Sequence, residues 1–355
     1  MCGINGVYNL KDLKAPKEII TKMNESTAHR GPDSTNSYSD NDIILGHIRL
    51  SIIDLSDGAN QPLLNNEGNL VLVFNGEIYN YLELKEKLKD DYHFNTSSDS
   101  EVLMAAYQKW GKACLHKLEG MFAFAIWDKK AKTLFIARDR LGIKPLYYFD
   151  DNQYLAFSSE VRGLMDLPFV GKNINKEGLV DYLRYGTVHA PNTIVAGVKM
   201  LLPGHSIWLS ADEYQVENYW DLGSFINRKA ENQSYEEVTK EVRTRLSNSV
   251  KNRMQADVPY GAFLSGGIDS SAIVGLMSEI SKQPVKTFSI SFNEKDYSEA
   301  KYAQIIADKF KTEHTEINLT PTDFLKELPA AMAAMDHPST DGLNSYMVAK
   351  VPKES

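Results

Sequence analysis

The strongest constraint on the fold lies in the second half of the chain, where a short apolar run at 259–264 leads through a glycine-rich turn into a helical pattern. The turn reads Ser-Gly-Gly-Ile-Asp-Ser-Ser over 265–271. Strand and helix patterns then alternate at 285–292, 299–310, 312–319 and 322–335. This alternation predicts an α/β unit with a doubly wound parallel sheet. Because such sheets bind ligands at the carboxyl ends of their strands, the turn is a candidate binding site.

The first part of the chain has a different pattern, in which short apolar strands outnumber helices. Strands are predicted at 4–9, 43–47, 51–55, 70–75, 122–128 and 133–138, with a further hairpin within 199–219. Helices are predicted at 18–27, 81–88 and 101–110. Antiparallel strands with a few helices predict an α+β layered domain over 2–220. A polar linker at 221–234 and an α/β domain at 235–355, which opens on a long helix, complete the predicted organisation.

Composition and charge exclude several classes of protein. The net charge of −8 disfavours nucleic-acid binding, which needs a basic face. No apolar run reaches the length of a membrane span, and the N-terminus lacks the pattern of a secretory signal. The two cysteines, Cys2 and Cys114, are too few for a disulfide scaffold, and no Cys/His cluster has zinc spacing. We therefore expect a cytoplasmic protein without nucleic-acid or membrane partners.

Cys2, directly after the initiator methionine, is the first candidate catalytic residue. Removal of Met1 would leave a thiol and a free α-amino group on one residue. A thiol titrates near ~8.5 and an α-amine near ~7.7–8.0, so part of the amine is free to accept the thiol proton at neutral pH. The pair predicts a nucleophile beside its own general base. The alternative is an inert residue at a frayed terminus.

Polar residues at the ends of the predicted strands are the next candidates. The planar guanidinium of Arg49 suits bidentate capture of a carboxylate, although a surface arginine is the simpler interpretation. Asn75 and Gly76 follow an apolar strand and offer a side-chain amide and an unobstructed backbone N–H, the two donors of an oxyanion hole. An ordinary Asn-Gly turn is the alternative. Asp99 either caps the helix that begins near Glu101 or pairs with a substrate ammonium.

Seven motifs in order make the chain similar to a known family. They are Met-Cys-Gly-Ile, His-Arg-Gly-Pro-Asp, Arg-Leu-Ser-Ile, Asn-Gly-Glu-Ile-Tyr-Asn, Ser-Asp-Ser-Glu, Gly-Met-Phe-Ala-Phe and Arg-Asp-Arg-Leu-Gly-Ile-Lys-Pro-Leu-Tyr-Tyr. Together they resemble the class II glutamine amidotransferase domain of glutamine-dependent asparagine synthetases. The resemblance implies an N-terminal-nucleophile hydrolase fold, which is an αββα sandwich.

The resemblance also implies a role for each candidate of the first domain. Cys2 attacks the side-chain amide of glutamine, while Asn75 and Gly76 stabilise the tetrahedral oxyanion. The implied glutamine-binding residues are Arg49 for the carboxylate, Glu77 and Asp99 for the amine end, Asn75 and Gly76, and the backbone of Leu50, Ser51, Ile52 and Ile53.

The glycine-rich turn of the second domain would direct backbone N–H groups and a helix N-terminus at an anion. It lacks the Gly-Lys-Ser/Thr ending of a Walker A loop, and a plain turn with Asp269 or Ser270 as N-cap is the alternative. In full, it resembles the PP-loop of ATP pyrophosphatases, which implies ATP and Mg²⁺ as cofactors, with the metal ligands unassigned. The implied ATP-binding residues are Leu264, Ser265, Gly266, Gly267, Asp269, Ser270, Ser271 and Ile290.

The sequence departs from the resembled family beyond its second domain's first strands. The family's second glycine-rich signature, Ser-Gly-x-Gly-x-Asp-Glu, and its later basic residue are not found before Ser355. Asp336 is a weak candidate for the general base of the synthetase reaction. We therefore expect the α/β domain to be incomplete, and the chain alone to retain glutaminase chemistry better than synthetase chemistry.

The leading functional hypothesis is an ATP-dependent ligase that takes ammonia from glutamine and amidates aspartate through an acyl-adenylate, giving asparagine, AMP, pyrophosphate and glutamate. One alternative keeps this machinery but uses another carboxylate, such as a sugar acid of a polysaccharide pathway. A second is a truncated form with glutaminase activity only. A third is a non-catalytic sensor of glutamine or ATP, which the presence of Cys2 disfavours. The resemblance is compatible with a homodimer.

Overall fold

A computed structural model describes residues 1–10, 13–226, 233–293 and 299–354 of the chain. The chain divides into two compact units, Met1–Arg228 and Lys229–Ser355. Part of the predicted linker, 227–232, lies outside the described residues. Across the described ranges, no helix has the length and apolar character needed to cross a membrane.

The first unit contains two six-stranded antiparallel sheets. Its strands are β1 (Gly3–Tyr8), β2 (Ser34–Ser39), β3 (Ile43–Arg49), β4 (Leu63–Leu64), β5 (Leu70–Ile78), β6 (Gly120–Asp128), β7 (Thr133–Arg138), β8 (Tyr147–Asp150), β9 (Leu155–Ser158), β10 (Val198–Met200), β11 (His205–Leu209) and β12 (Tyr214–Asn218). The first sheet has the order β10-β8-β9-β1-β3-β2, and the second has the order β12-β11-β7-β6-β5-β4.

The described helices of this unit are α1 (Pro16–Ser26), α2 (Tyr81–Leu88), α3 (Asp99–Trp110), α4 (Val161–Met165), α5 (Lys176–Tyr185) and α6 (Gly223–Ile226). Four of them, α1 to α4, pack on the outer faces of the two sheets. Residues of α1 and α4 pack on the first sheet, and residues of α2 and α3 pack on the second. A third apolar cluster joins the inner faces of both sheets. The predicted αββα sandwich is therefore confirmed.

Strand β5 shows why the sequence forms this arrangement. Leu70, Leu72 and Phe74 belong to the cluster shared with α2 and α3, whereas Val71 and Val73 belong to the cluster between the sheets. Successive side chains of a strand point to opposite faces, so a strand buried on both sides needs a continuous apolar run. The run Leu-Val-Leu-Val-Phe supplies that pattern.

The predicted strand at 51–55 is wrong. The segment after β3 is irregular, and Asp54 has a φ of 55°, which is incompatible with an extended strand. The guanidinium of Arg49 donates hydrogen bonds to the backbone carbonyls of Asp54 and Ser56, which curls the segment back on the end of β3. Sequence also missed β2, because this strand lies at the sheet edge and its Ser-Thr-Asn-Ser-Tyr-Ser sequence has no apolar alternation.

The second unit is an α/β unit. Its three-stranded parallel sheet has the order β13 (Gly261–Phe263), β14 (Lys286–Ser291) and β15 (Glu313–Asn318). Its helices are α7 (Tyr235–Arg253), α8 (Ile268–Ile280), α9 (Ala300–Phe310), α10 (Pro321–Ala334) and α11 (Gly342–Glu354). The predicted alternation of strands and helices and the parallel sheet are confirmed.

Candidate active site

The thiol of Cys2 lies at the start of β1, close to the end of β3. Its Sγ is 3.4 Å from the backbone nitrogen of Leu50, which donates to it, and 3.5 Å from the carbonyl oxygen of Leu50. The guanidinium of Arg30 donates from Nε to the carbonyl oxygen of Cys2 over 2.8 Å. The residue is half-buried, and contacts from two other segments fix its backbone and its sulfur.

The alternation of the strands brings Cys2 and Asn75 to the same space between the two sheets. Cys2 precedes Ile4 by two residues, and Ile4 packs in the inter-sheet cluster. Asn75 follows Val73 by two residues, and Val73 packs in the same cluster. Both side chains therefore face inwards, from different sheets. They line one cavity at this end of the sandwich.

This cavity collects most of the residues predicted for glutamine binding. The predicted residues that line it are Cys2, Arg49, Leu50, Ile52, Ile53, Asn75, Gly76, Glu77 and Asp99. Ser51 is not among the lining residues, and its backbone N–H donates to the carboxylate of Asp33 at 2.7 Å. With the open solvent at its mouth counted, the space in the cavity is about 500 Å³.

Arg49 is buried, with 5% of its surface exposed, and it organises one wall of the cavity. Its Nη1 donates to the carbonyl oxygen of Ser56 and to Oδ1 of Asn60, each at 2.8 Å. Its Nη2 donates to the carbonyl oxygen of Asp54. These hydrogen bonds fix the guanidinium of Arg49 in the cavity wall. There it can bind a carboxylate.

Asn75 and Gly76 lie on β5 opposite Ala123 and Phe122 of β6. The side chain of Asn75 is 1% exposed, yet neither its Nδ2 nor its Oδ1 has a hydrogen-bond partner within the described chain. Buried amides without a partner are rare, and both polar atoms of this amide are available to a ligand. A Cβ on Gly76 would lie 2.4 Å from the carbonyl oxygen of Met121, which explains the glycine at this position.

Asp99 is the first residue of α3 and not the helix cap. The cap is Ser98, whose hydroxyl accepts a hydrogen bond from the backbone N–H of Glu101, so the predicted capping role of Asp99 is wrong. The carboxylate of Asp99 instead accepts from the backbone N–H of Ile78 at 2.9 Å. Burial, reinforced by the negative charge of Glu77, raises the pKa of Asp99 to about 7. An ammonium group between these two carboxylates would relieve that unfavourable charge.

The thiol and the terminal amine are both affected by burial. Burial raises the pKa of the Cys2 thiol, while the hydrogen bond from Leu50, the amine and Lys144 act in the opposite direction. Burial lowers the pKa of the terminal amine, which here belongs to Met1. A lower amine pKa leaves more of the uncharged form that can accept a proton.

Lys144 also lines the cavity, and the sequence arguments gave it no role. It is 5% exposed, although lysine is almost never so buried without a partner charge. The sequence feature that could have identified Lys144 as a site residue is its position in the motif Arg-Asp-Arg-Leu-Gly-Ile-Lys-Pro-Leu-Tyr-Tyr, which spans 138–148.

The glycine-rich turn of the second unit joins β13 to α8. Gly266 has a φ of 82°, and a Cβ there would lie 2.5 Å from the Cβ of Tyr302 on α9. Gly267 is the N-cap of α8, so the predicted cap at Asp269 or Ser270 is wrong. Ser265 and Ser270 place their hydroxyl oxygens 3.1 Å apart at this helix end. The turn thus presents hydroxyl groups beside a helix N-terminus.

A large apolar cavity adjoins the turn. Among the predicted ATP-binding residues, Leu264, Ser265 and Ile290 line it, and Gly266, Gly267, Asp269, Ser270 and Ser271 do not. Phe263, Phe288 and Ala303 also line it, and its volume is about 990 Å³ with the open mouth counted.

The described residues contain no group of three or more His, Cys, Asp or Glu side chains placed to hold a metal ion. Asp336 follows α10, and its predicted role stays a prediction.

Comparison with known proteins matches both units to family models. Residues 1–220 match a glutamine amidotransferase domain, and residues 241–353 match an asparagine synthase domain. The sequence is 36% identical to a putative glutamine-hydrolysing asparagine synthetase 2 of Methanocaldococcus jannaschii, over all of this chain and 72% of that protein. The chain belongs to the glutamine-hydrolysing asparagine synthetase family.

Two further relatives are from Bacillus subtilis. Glutamine-hydrolysing asparagine synthetase 1 is 39% identical over all of this chain and 56% of its own length. Glutamine-hydrolysing asparagine synthetase 3 is 31% identical over 98% of this chain and 59% of its own length. The chain thus spans between about half and three quarters of the length of these family members. The predicted domain boundaries stay predictions, since the matched regions end at 220 and begin at 241 whereas the two units meet after 228.

Proposed function

We propose that the first unit hydrolyses glutamine at Cys2 as the ammonia-producing half of an asparagine synthetase. The observation that carries the proposal is the shared cavity of a fixed thiol and a buried, unpartnered amide, Cys2 and Asn75. A nucleophile and a donor for the developing oxyanion are the minimum set for cleaving an amide. Membership in a family of glutamine-hydrolysing synthetases supports the same reaction.

In the proposed site, the two ends of the amino-acid part of glutamine meet opposite charges. The fixed guanidinium of Arg49 receives the carboxylate. Asp99 and Glu77 receive the ammonium, whose charge compensates the repulsion between the two carboxylates. This arrangement directs the side-chain amide of glutamine towards Cys2, where Asn75 and the N–H of Gly76 stabilise the oxyanion. With Met1 removed, the amine of Cys2 takes the thiol proton.

We propose that the second unit binds ATP, with the adenosine part in the apolar cavity and the phosphates at the turn 265–271. Leu264 and Ile290 in the cavity wall support the first placement, and the hydroxyl groups at the start of α8 support the second. Mg²⁺ usually takes one or two carboxylates plus phosphate oxygens and water, so Asp269 suffices as its protein ligand. When bound, Mg²⁺ would neutralise phosphate charge. ATP activates the carboxylate of aspartate, and the ammonia from glutamine converts it to asparagine.

The decisive experiment measures glutamate release from glutamine. The matched pair of variants is Cys2→Ala and Cys114→Ala, because Cys114 is the other cysteine and is fully buried away from the cavity. We expect Cys2→Ala to abolish glutamate release and Cys114→Ala to retain it. Intact mass of the purified chain shows whether Met1 is removed. Glutamate release that survives in Cys2→Ala would reject the proposal.

The acceptor is tested separately with isotopically labelled aspartate, ATP and glutamine. Labelled asparagine together with AMP supports the full synthetase reaction. Glutamate release without asparagine would limit the activity of this chain to the first half-reaction.

A further inference from the structure

Lys144 is a cation in the wall of the proposed glutamine cavity to which no function has been assigned. It lines the cavity together with Cys2 and Glu77 and is 5% exposed. Lys144 lies in the loop that runs from β7 of the second sheet to β8 of the first, and Cys2 precedes β1 of the first sheet. A lysine from this loop thus shares a cavity with the proposed nucleophile.

The loop that carries Lys144 is fixed by two neighbouring charged residues. Arg138 donates from Nε to the carbonyl oxygen of Lys144 at 2.7 Å and from Nη2 to that of Gly142 at 2.7 Å. The carboxylate of Asp139 accepts from the backbone N–H groups of Leu141, Ile143 and Lys144 at 2.9–3.1 Å, and from that of Phe122 at 3.2 Å. The bonds at both faces of the loop determine where the lysine stem begins. The backbone from which the lysine side chain extends is therefore fixed before any ligand arrives.

Several charged groups lie near Lys144 and Cys2, and the signs of their charges influence the protonation states of both residues. The groups that act on one or both are the terminal amine, Arg30, Glu77, Asp99 and Asp139. Burial lowers the pKa of Lys144, while Glu77 and Cys2 favour its charged form. Burial also raises the pKa of the Cys2 thiol, and Lys144 is one of the charges that counteract this. A low dielectric strengthens such an interaction between a cation and a thiolate.

We propose that Lys144 is a positioning residue for the nucleophile: its ammonium, on a buried side chain that lines the same cavity, stabilises Cys2 in the anionic form that attacks glutamine. The proposal deepens the glutaminase function proposed above and rests on it. Glu77 has a second role in this arrangement, since its carboxylate keeps Lys144 charged. In this proposal the lysine acts through the sulfur of Cys2.

The experiment measures the pH dependence of Cys2 alkylation by iodoacetamide in a Cys114→Ala background, where Cys2 is the remaining thiol. We compare Lys144→Met, Lys144→Arg and the control Lys130→Met, which removes a surface lysine that pairs with Glu67 at 3.2 Å. We expect Lys144→Met to raise the midpoint by about one pH unit, which is about tenfold less thiolate below the midpoint. Lys144→Arg should restore the midpoint, and Lys130→Met should leave it unchanged. If Lys144→Met lowers the melting temperature, Lys144→Gln replaces it.

Glutamate release provides an independent readout. We expect Lys144→Met to lower kcat about tenfold at pH 7 with little change in KM, and to recover at high pH. Equal alkylation midpoints in Lys144→Met and Lys130→Met overturn the proposal. A shift that Lys144→Arg shares with Lys144→Met also overturns it, because the charge would then be irrelevant. If Lys144→Met raises the alkylation midpoint as expected but the parent chain releases no glutamate, the glutaminase function is rejected. The effect of Lys144 on the Cys2 thiol would still hold.

Discussion

Arg30 and Glu160 form a buried ion pair, with Nη1 of Arg30 2.8 Å from Oε1 of Glu160 and side-chain exposures of 7% and 8%. The same guanidinium holds the carbonyl oxygen of Cys2. His29 and Arg162 also pair with Glu160, at 2.9 and 3.1 Å. The backbone of the proposed nucleophile is thus attached, through one arginine, to a carboxylate at the start of α4.

We predict that Glu160→Gln lowers the free energy of unfolding by about 3–5 kcal/mol, because it leaves the buried Arg30 without a compensating charge. Urea denaturation measures the loss. The control is Asp91→Asn, which breaks an ion pair with Lys109 whose side chains are 51% and 38% exposed. An exposed pair contributes less than about 1 kcal/mol. Equal losses in the two variants would contradict the prediction.

The same pair predicts a dependence of stability on pH. Burial acts to raise the pKa of Glu160, but hydrogen bonds from His29 and Arg30 and the charge of Arg30 outweigh it and lower the pKa below the usual 4.5. A carboxyl with a lowered pKa in the folded state contributes stability above pH 4.5 that is lost as the pH falls through the folded value. Glu160→Gln should remove this part of the acid destabilisation, as seen in urea titrations between pH 3 and pH 6.

The raised pKa of Asp99 predicts the opposite dependence of stability on pH. Its pKa of about 7 lies above the usual 3.8, so the folded state binds a proton that the unfolded state has released. This contribution to stability is complete below pH 3.8 and is lost as the pH rises through 7. Asp99→Asn keeps the shape of the protonated form and should be more stable than the parent chain at pH 8, with little difference near pH 4. Thermal melting at pH 4 and pH 8 measures the difference in stability between the two chains. An Asp99→Asn variant that is less stable than the parent chain at pH 8 would contradict a raised pKa of Asp99.

The proposed role of Asp99 also predicts how glutamine binding depends on pH. Because an ammonium favours the ionised carboxylate, binding at pH 7 should release a proton, and affinity should increase as the pH rises from 6 to 8. Calorimetry on Cys2→Ala in buffers of different ionisation enthalpy measures the proton release. Asp99→Asn in the same background should bind weakly and release none. Proton uptake on binding would contradict the proposed placement of the ammonium.

Gly76→Ala should damage both stability and activity. Its Cβ would lie 2.4 Å from the carbonyl oxygen of Met121 and 2.8 Å from Cα of Phe122, so β5 and β6 must separate locally. We expect a loss of about 1–3 kcal/mol and of glutamate release. Gly171→Ala is the matched control, because its nearest neighbour is Nδ2 of Asn173 at 3.9 Å. An active, fully stable Gly76→Ala would contradict the geometry of this strand pair.

The two glycines of the turn at 265–271 should respond differently to the same change. Gly266→Ala meets a positive φ and backbone atoms of α9, including the nitrogen of Ala303 at 2.6 Å, so it should destabilise the second unit and abolish ATP binding. Gly267→Ala meets the flexible hydroxyl of Ser265 at 3.3 Å and should retain stability. Nucleotide-dependent shifts in melting temperature distinguish them. Similar behaviour of the two variants would count against this account of the turn.

Sequence predicted the fold best where local pattern and burial coincide. The apolar run of β5 is buried on both faces, and its strand was predicted correctly within three residues at its end. The segment 51–55 was mistaken for a strand because its conformation depends on a side chain, Arg49, and on no periodicity. Edge strand β2 was missed since its backbone pairing with β3 needs no apolar residues.

For the candidate site, the motifs identified most residues that line the proposed glutamine cavity but not their electrostatics. The raised pKa of Asp99 arises from burial that only the folded sandwich creates. Lys144 was overlooked because its position depends on Arg138 and Asp139, whose side chains shape the loop through backbone groups. Neither effect has a local signature in the sequence.

Strand β5 carries two apolar layers in its first half and Asn75 and Gly76 in its second. Because side chains alternate, a slip of one residue against β6 would exchange the two layers and turn the amide of Asn75 out of the cavity. The register of β5 against β6 that places the leucines and valines on opposite faces therefore also directs the amide of Asn75 into the cavity. In this chain, a shift in the register of β5 against β6 would disturb the sandwich interior and the proposed active site at the same time.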